Sequence, residues 1–282
     1  MSFKNFIPAI WAAAILEPLE KALVFAAPDA VNRDYEGEIA QAGDRVVINT
    51  ISDPTIAPYT PNSTVITPEE LTSADQELII DQSPYFAFKV DDVDKRQSAG
   101  GGRILTTALR RAAYKLRDEV DQYVAALYAG AQADNQISTT SINTPTLALQ
   151  YLSELGVKLD EANVPSEGRF VIVPPWYHGL LRRDSAFTDL AGAPGYQALI
   201  NGLVGRAEGF NVKVSNNVDL VTGDDYRVCA GVDMGISYAQ QMSEVEAYRP
   251  ESSFSDAVKG LLLYGAKLIR PDCVATLIAS KT

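Results

Sequence analysis

The sole histidine, His178, sits in the run Pro174-Pro175-Trp176-Tyr177-His178-Gly179. Any imidazole-based acid–base or nucleophilic chemistry would have to pass through it. Its flanks instead read as a short helix following a strand, and no catalytic role is expected for it. The triplet Gly100-Gly101-Gly102 precedes a helical pattern and could lend backbone N–H groups to an anion. No strand ends just before it, so it reads as a flexible joint. Asp91, Asp92 and Asp94 could gather round a divalent cation, but the cluster lacks the glycine and distal glutamate of a calcium loop and reads as a solvated turn. Cys229 and Cys273 lie in apolar, strand-like runs and read as buried free thiols, two being too few for a disulfide framework. Asn62-Ser63-Thr64 is a glycosylation sequon by pattern alone. The chain has no HExxH, CxxC or GxSxG pattern and no Walker-type phosphate loop. The expectation is a protein without catalytic residues, cofactor or metal.

The 282 residues are 46% hydrophobic and 21% charged, a composition that folds and that excludes disorder for the bulk of the chain. No apolar run approaches the roughly 20 residues needed to cross a bilayer. The start, Met-Ser-Phe-Lys, lacks the basic region and cleavage signal of a secretory leader, so synthesis and residence in a cytoplasm, until something releases the product, are expected. Thirty-six acidic residues against 24 basic ones leave a net charge of −12. That balance disfavours bulk nucleic-acid binding. It suits a protein held at high density beside DNA without sticking to it.

The elements that would position these groups follow from periodicity. Residues 1–35 read as an apolar arm: Phe6, Ile7, Ile10, Trp11 and Ile15 recur at helical spacing, while Pro8, Pro18 and Pro28 break the segment. Such groups need a surface, their own body or a neighbouring subunit. Residues 36–97 predict two β-arms with a polar, Pro-rich tip. One strand is Arg45–Asn49; Leu78–Asp81 and Tyr85–Val90 return. Leu105, Leu109, Ala112, Leu116, Val120, Tyr123 and Leu127 then form one stripe on a helix of over 25 residues, about 40 Å long, stopping at Gly130. Arg103, Arg110 and Arg117 recur at heptad spacing on the other side, facing packaged nucleic acid or simply solvent. From 144 to 244, a helix opened by Thr144-Pro145, the strand Arg169–Val173, a short helix, a loop at 184–205 and strands Phe210–Val214 and Tyr226–Ala230 predict an α/β unit. The tail predicts three strands, Val245–Tyr248, Ala257–Ala266 and Cys273–Ala279, returning to the long helix.

This order, with the fragments Asn5-Phe6-Ile7-Pro8-Ala9-Ile10-Trp11, Gly43-Asp44-Arg45-Val46, Arg117-Asp118-Glu119-Val120-Asp121, Phe170–Pro174, Gly209–Asn217 and Tyr264–Pro271, resembles the major capsid protein of tailed bacteriophages, the Hong Kong 97-type fold. The resemblance runs over nearly the whole chain. It implies an α+β fold with an N-arm (1–35), an extended β-hairpin E-loop (36–97), a P-domain with its spine helix (98–143), an inserted α/β A-domain (144–244) and returning P-domain strands (245–282).

By the same resemblance the protein is a virion shell component, assembled in the host bacterial cytoplasm. Its partners would be itself, as hexamers and pentamers, a portal protein, a scaffolding protein, and packaged double-stranded DNA by weak proximity, with no membrane. The intersubunit candidates are Phe6, Ile7, Ile10, Trp11, Arg45, Tyr59, Tyr85, Phe86 and Phe88. The hinge candidates are Gly100, Gly101 and Gly102. Some members weld subunits through an E-loop lysine. Here no lysine lies between Lys21 and Lys89, so a shell without crosslinks is expected. The chain begins directly with the arm, so a scaffold, if used, is expected to be a separate protein. An encapsulin-like nanocompartment of the same fold is the alternative.

Overall fold

The computed structural model describes residues 23–34, 45–51, 54–59, 61, 68–70, 73–91, 103–184, 205–250 and 255–281; the side chains of 49–51, 73–75, 103–106 and 241–244 lie outside the description. Strands β1 (Arg45–Ile51) and β2 (Ser73–Ile79) form an antiparallel hairpin with Arg45 opposite Ile79 and Ile51 opposite Ser73. Strand β3 (Tyr85–Asp91) and helix α1 (Arg103–Leu127) follow. Then come β4 (Gln136–Ser141), α2 (Pro145–Glu161), β5 (Phe170–Val173) and α3 (Pro175–Leu181). The remainder is β6 (Arg206–Ala207), β7 (Phe210–Val214), β8 (Leu220–Thr222), β9 (Asp225–Gly231), β10 (Ile236–Tyr248), β11 (Ser255–Leu268) and β12 (Val274–Ser280).

Two sheets organise the chain. The smaller runs β10-β11-β3, and its central strand alternates between two layers. Val258, Leu262 and Tyr264 of β11 pack with residues of α1, whereas Leu261 and Leu263 pack with Val46, Ile48, Leu78 and Ile80 at the hairpin base. Period-2 alternation thus puts the helix on one face and the hairpin on the other. Contact with the hairpin is close enough that a Cβ on Gly265 would lie 2.2 Å from the Ile79 carbonyl oxygen. Only a residue without a side chain fits there.

The larger sheet runs β4-β12-β9-β5-β7-β6, with β8 paired to β9. One face carries α2 and α3 through Ala148, Leu152, Leu155, Leu159, Tyr177 and Leu181. The other face, through Phe170, Ile172, Cys229 and Val274, meets α1 and residues 23–31. Helix α2 starts as its sequence requires: Thr144 Oγ1 accepts the Leu147 N–H at 3.3 Å, and Pro145 fills the first turn.

Three sequence expectations are corrected, and one strand is added. Tyr85–Val90 is no part of the hairpin; β3 pairs with β11 from Tyr85↔Leu261 to Asp91↔Ser255, which lets Phe86 and Phe88 bury against α1. The last strand does not join the other tail strands. Residues 274–277 are wholly buried, so β12 needs cover on both faces and inserts between β4 and β9 in the larger sheet, one strand in from its edge. The polar strand β4, which periodicity did not reveal, is its parallel partner. Finally, α1 ends at Leu127 and runs into a tight turn at Tyr128–Gly130. Gly130 is not in the left-handed region; a Cβ there would sit 3.0 Å from Leu268 Cδ2.

Candidate functional site and assembly surfaces

The root of the N-terminal arm is bound to its own chain. Phe25, Ala26, Ala30 and Val31 are buried, and Asp121, on the packed side of α1, accepts the backbone N–H groups of Val24, Phe25 and Ala26 at 3.1–3.3 Å. Burial pushes the Asp121 carboxyl above its ordinary range; the three amides and the charge of Arg117 oppose that shift. Asn32 bonds Ile236 and Tyr238 as an added bridge on the start of β10. Lys213 on β7 pairs with Asp29 at 2.6 Å while lying 5.3 Å from the centre of the Phe170 ring. Phe6, Ile7, Ile10 and Trp11 lie outside the described residues.

The hairpin is anchored at its base. Val46, Ile48 and Leu78 face the smaller sheet, while Val47 and Ile79 face solvent. Arg45 pairs across the strands with Glu77 at 3.0 Å. Described tip residues 54–59 and 68–70 are all exposed, Ile56 at 94% and Tyr59 at 63%. Thr55 donates its N–H to the Glu69 carboxylate, which holds that group below its ordinary range.

The other candidates divide. Tyr85 is 77% exposed. Phe86 and Phe88 are half-buried, stack on each other with ring centres 6.2 Å apart and pack near Leu109, Ala113 and Val258 of their own chain. On α1 the buried face is Leu109, Ala113, Leu116, Val120, Asp121 and Val124, with Ala112, Tyr123 and Leu127 half-buried beside it. Arg110 is exposed on the far side. Arg117 is half-buried, its guanidinium 4.5 Å from the centre of the Tyr114 ring, so it does not share the free face expected for it. The side chain of Arg103 and the residues Asp92, Asp94, Gly100, Gly101, Gly102 and 185–204 lie outside the description.

The chemistry-bearing residues form no constellation among the described residues. His178 sits on the short helix α3, half-buried, and burial together with Arg182 holds its imidazole below the ordinary range. Cys229 and Cys273 are buried free thiols, both pushed up by desolvation. No group of three metal-binding side chains occurs among the described residues, and none of their helices is long and apolar enough to cross a membrane. Sequence reasoning missed Asp121; its signal was an acid placed one position after Val120 of the apolar stripe.

Residues 80–277 match the family described as phage capsid protein. No curated protein matches the chain. Among solved structures, the chain is similar to Mycobacterium phage Che8 at 28% identity, with 90% of each chain covered and a TM-score of 0.74. It is similar to the capsid of Cyanophage P-SCSP1u at 17% identity, covering 86% and 85% of the two chains with a TM-score of 0.66. The holo-SrpI encapsulin complex of Synechococcus elongatus PCC 7942 shares the fold at 12% identity, covering 86% and 84%, with a TM-score of 0.56.

Proposed function

The chain belongs to the phage capsid protein family, and on that premise we propose that it is the major capsid protein of a tailed bacteriophage, closing around double-stranded DNA without covalent crosslinks. The shell-forming role itself follows from the family, and the fold is the Hong Kong 97 type. The observation that carries the finer reading is the combination of the family match with a hairpin whose described tip residues are exposed, Ile56 and Tyr59 among them. A monomer gains nothing from such a projection; burial on a neighbour recovers about 25 cal/mol for each Å² of apolar surface. Heterologous contacts of this kind, repeated by rotation, close into capsomers.

In this reading residues 1–35 are the N-arm, 36–97 the E-loop segment, whose β3 lies in the smaller sheet rather than in the hairpin, 98–143 the P-domain with its spine helix, 144–244 the A-domain and 245–282 the returning P-domain strands, with β12 lending its pairing to the A-domain sheet. The protein does no bond chemistry. A portal protein, and a separate scaffold where one is used, complete the head during assembly in the host cytoplasm. The absence of lysine from 22 to 88 leaves the hairpin without an amine for an isopeptide bond.

Negative-stain microscopy of the expressed chain tests the reading: closed shells are expected, and a monodisperse monomer at high concentration overturns it. Particles from the native source should hold nuclease-resistant double-stranded DNA. A cargo enzyme in its place would assign the shell to the encapsulins. A ladder of covalent multimers on a reducing denaturing gel would overturn the crosslink-free shell.

A further inference from the structure

We propose that the cavity between the end of α2 and the turns leading into β4 and β12 is a binding site for an alkyl polyammonium ion, a cation of the polyamine class, held by Asp134, Glu161, Asp272 and the Asn135 side-chain carbonyl. The proposal is separate from the shell reading and does not rest on it. The cavity is open and polar, with a volume of about 540 Å³. One wall is the last turn of α2, with Lys158, Glu161 and the Ala162 that follows it. The other is Gln132, Asp134 and Asn135 ahead of β4 and Asp272 ahead of β12.

Two independent observations point to a cation. Asn135 is 3% exposed, and its Nδ2 donates to the Asp272 carbonyl at 2.8 Å and to the Val274 carbonyl at 3.3 Å. Its Oδ1 has no hydrogen-bond partner among the described residues and is not sealed from solvent. Two backbone carbonyls thus fix a buried amide so that its oxygen is left for the cavity it lines, and an open acceptor there calls for a donor. The second observation is charge. Three carboxylates face one cation, Lys158, whose ammonium lies 3.7 Å from Glu161 and offsets that carboxylate alone. Asp134 and Asp272 have no ion-pair partner among the described residues. The C-terminal end of the 17-residue α2 adds its own negative potential.

The spread of the charge decides which cation. Calcium or magnesium draws several oxygens to roughly 2.0–2.6 Å of one point, and no three metal-binding side chains converge in that way among the described residues. The carboxylates here are dispersed round a space far larger than one ion. Ammonium groups strung along a flexible alkyl chain meet dispersed carboxylates one at a time, each bringing three N–H donors, and Ala162 offers apolar surface to the methylenes between them. Bound there, the cation ties α2 to the two turns by which the chain passes from α1 and from β11 into the larger sheet.

Equilibrium dialysis of the full chain against radiolabelled spermidine at constant ionic strength tests this. One spermidine per chain is expected, bound more tightly than 1,4-diaminobutane, which in turn outbinds n-butylamine. Asp134→Asn with Asp272→Asn should weaken spermidine binding about tenfold. Glu69→Gln with Glu70→Gln, which removes as many charges from the exposed hairpin tip, should leave it unchanged. Thermal melts of both variants, expected to match the parent, keep a folding defect apart from a binding defect. Should the first variant melt early, Glu161→Gln serves in its place, with a smaller loss expected. Equal weakening by the two double variants, or none by the first, shows diffuse attraction to a chain of net charge −12 and overturns the site. Butylamine binding as tightly as the diamine, or displacement of spermidine by one equivalent of calcium chloride, overturns it as well.

Discussion

The Asp121 carboxylate and the Phe25 amide, 96 residues apart in sequence, meet at 3.2 Å in the core. Val24 and Ala26 donate to the same side chain, so one carboxylate on α1 holds the point at which the N-terminal arm leaves the body. Asp121→Ala would strand three amides, two of them in fully buried residues, and is expected to cost about 3 kcal/mol, read as a lower denaturant midpoint.

The same group sets a pH dependence. Burial raises its folded value above the ordinary 3.8, so the folded chain holds this proton more tightly than the unfolded chain. Stability owed to Asp121 is therefore fully present below about 3.8 and declines as pH rises through the raised value. The stability difference between the parent and Asp121→Asn should shrink over that rise; a difference that grows with pH would contradict it.

Gly265 is expected to tolerate no side chain. A Cβ 2.2 Å from the Ile79 carbonyl oxygen forces the hairpin base off β11, and Gly265→Ala should destabilise by about 2–3 kcal/mol. Limited proteolysis should then cut within the hairpin faster than in the parent. An unchanged digestion pattern would show that the base can yield without detaching.

Tyr128 is fully buried, its ring edge-on to Phe25 with centres 5.8 Å apart, and its hydroxyl has no hydrogen-bond partner among the described residues. Removing an unpaired buried hydroxyl leaves the ring packing untouched. Tyr128→Phe should raise stability by about 1 kcal/mol, seen as a higher Tm, and a clear loss would point to a partner for the hydroxyl.

Arg169 donates to the Val164 and Pro165 carbonyls and pairs with Asp160 at 2.7 Å. It closes the connection between α2 and β5. Lysine cannot reproduce that fork, so Arg169→Lys should lose about 2 kcal/mol in equilibrium unfolding. The two thiols offer a simpler check: buried and held protonated, both should resist alkylation in the folded chain and react fully in denaturant.

How much of this was legible beforehand depended on how local each cause is. The apolar stripe of α1 around Leu109, Leu116 and Val120, the cap at Thr144-Pro145, the strand at Phe170–Val173 and the buried state of Cys229 and Cys273 all follow from periodicity and propensity over a few residues. The first hairpin strand at Arg45–Asn49 was legible for the same reason; its partner, Ser73–Ile79, was expected only at Leu78–Asp81 because its polar start carries no periodic signal. The strand carrying Phe86 and Phe88 was assigned to the hairpin because an alternating strand declares a buried face without saying which neighbour it pairs with. Asp121 was hidden because its partners lie 95 to 97 residues away.

On its own, then, the sequence determined the main helices and the apolar strands, which faces are greasy, and where charge of one sign gathers, since each depends on neighbours within a turn or two of the chain. Only the tertiary structure decided that β3 belongs with β11, that β12 crosses into the larger sheet beside the polar strand β4, and that hairpin and α1 lie on opposite sides of one sheet. Strand pairing and layer order are settled by contacts between residues far apart in the chain. A strand that is apolar on both faces carries no mark of which neighbours will cover it.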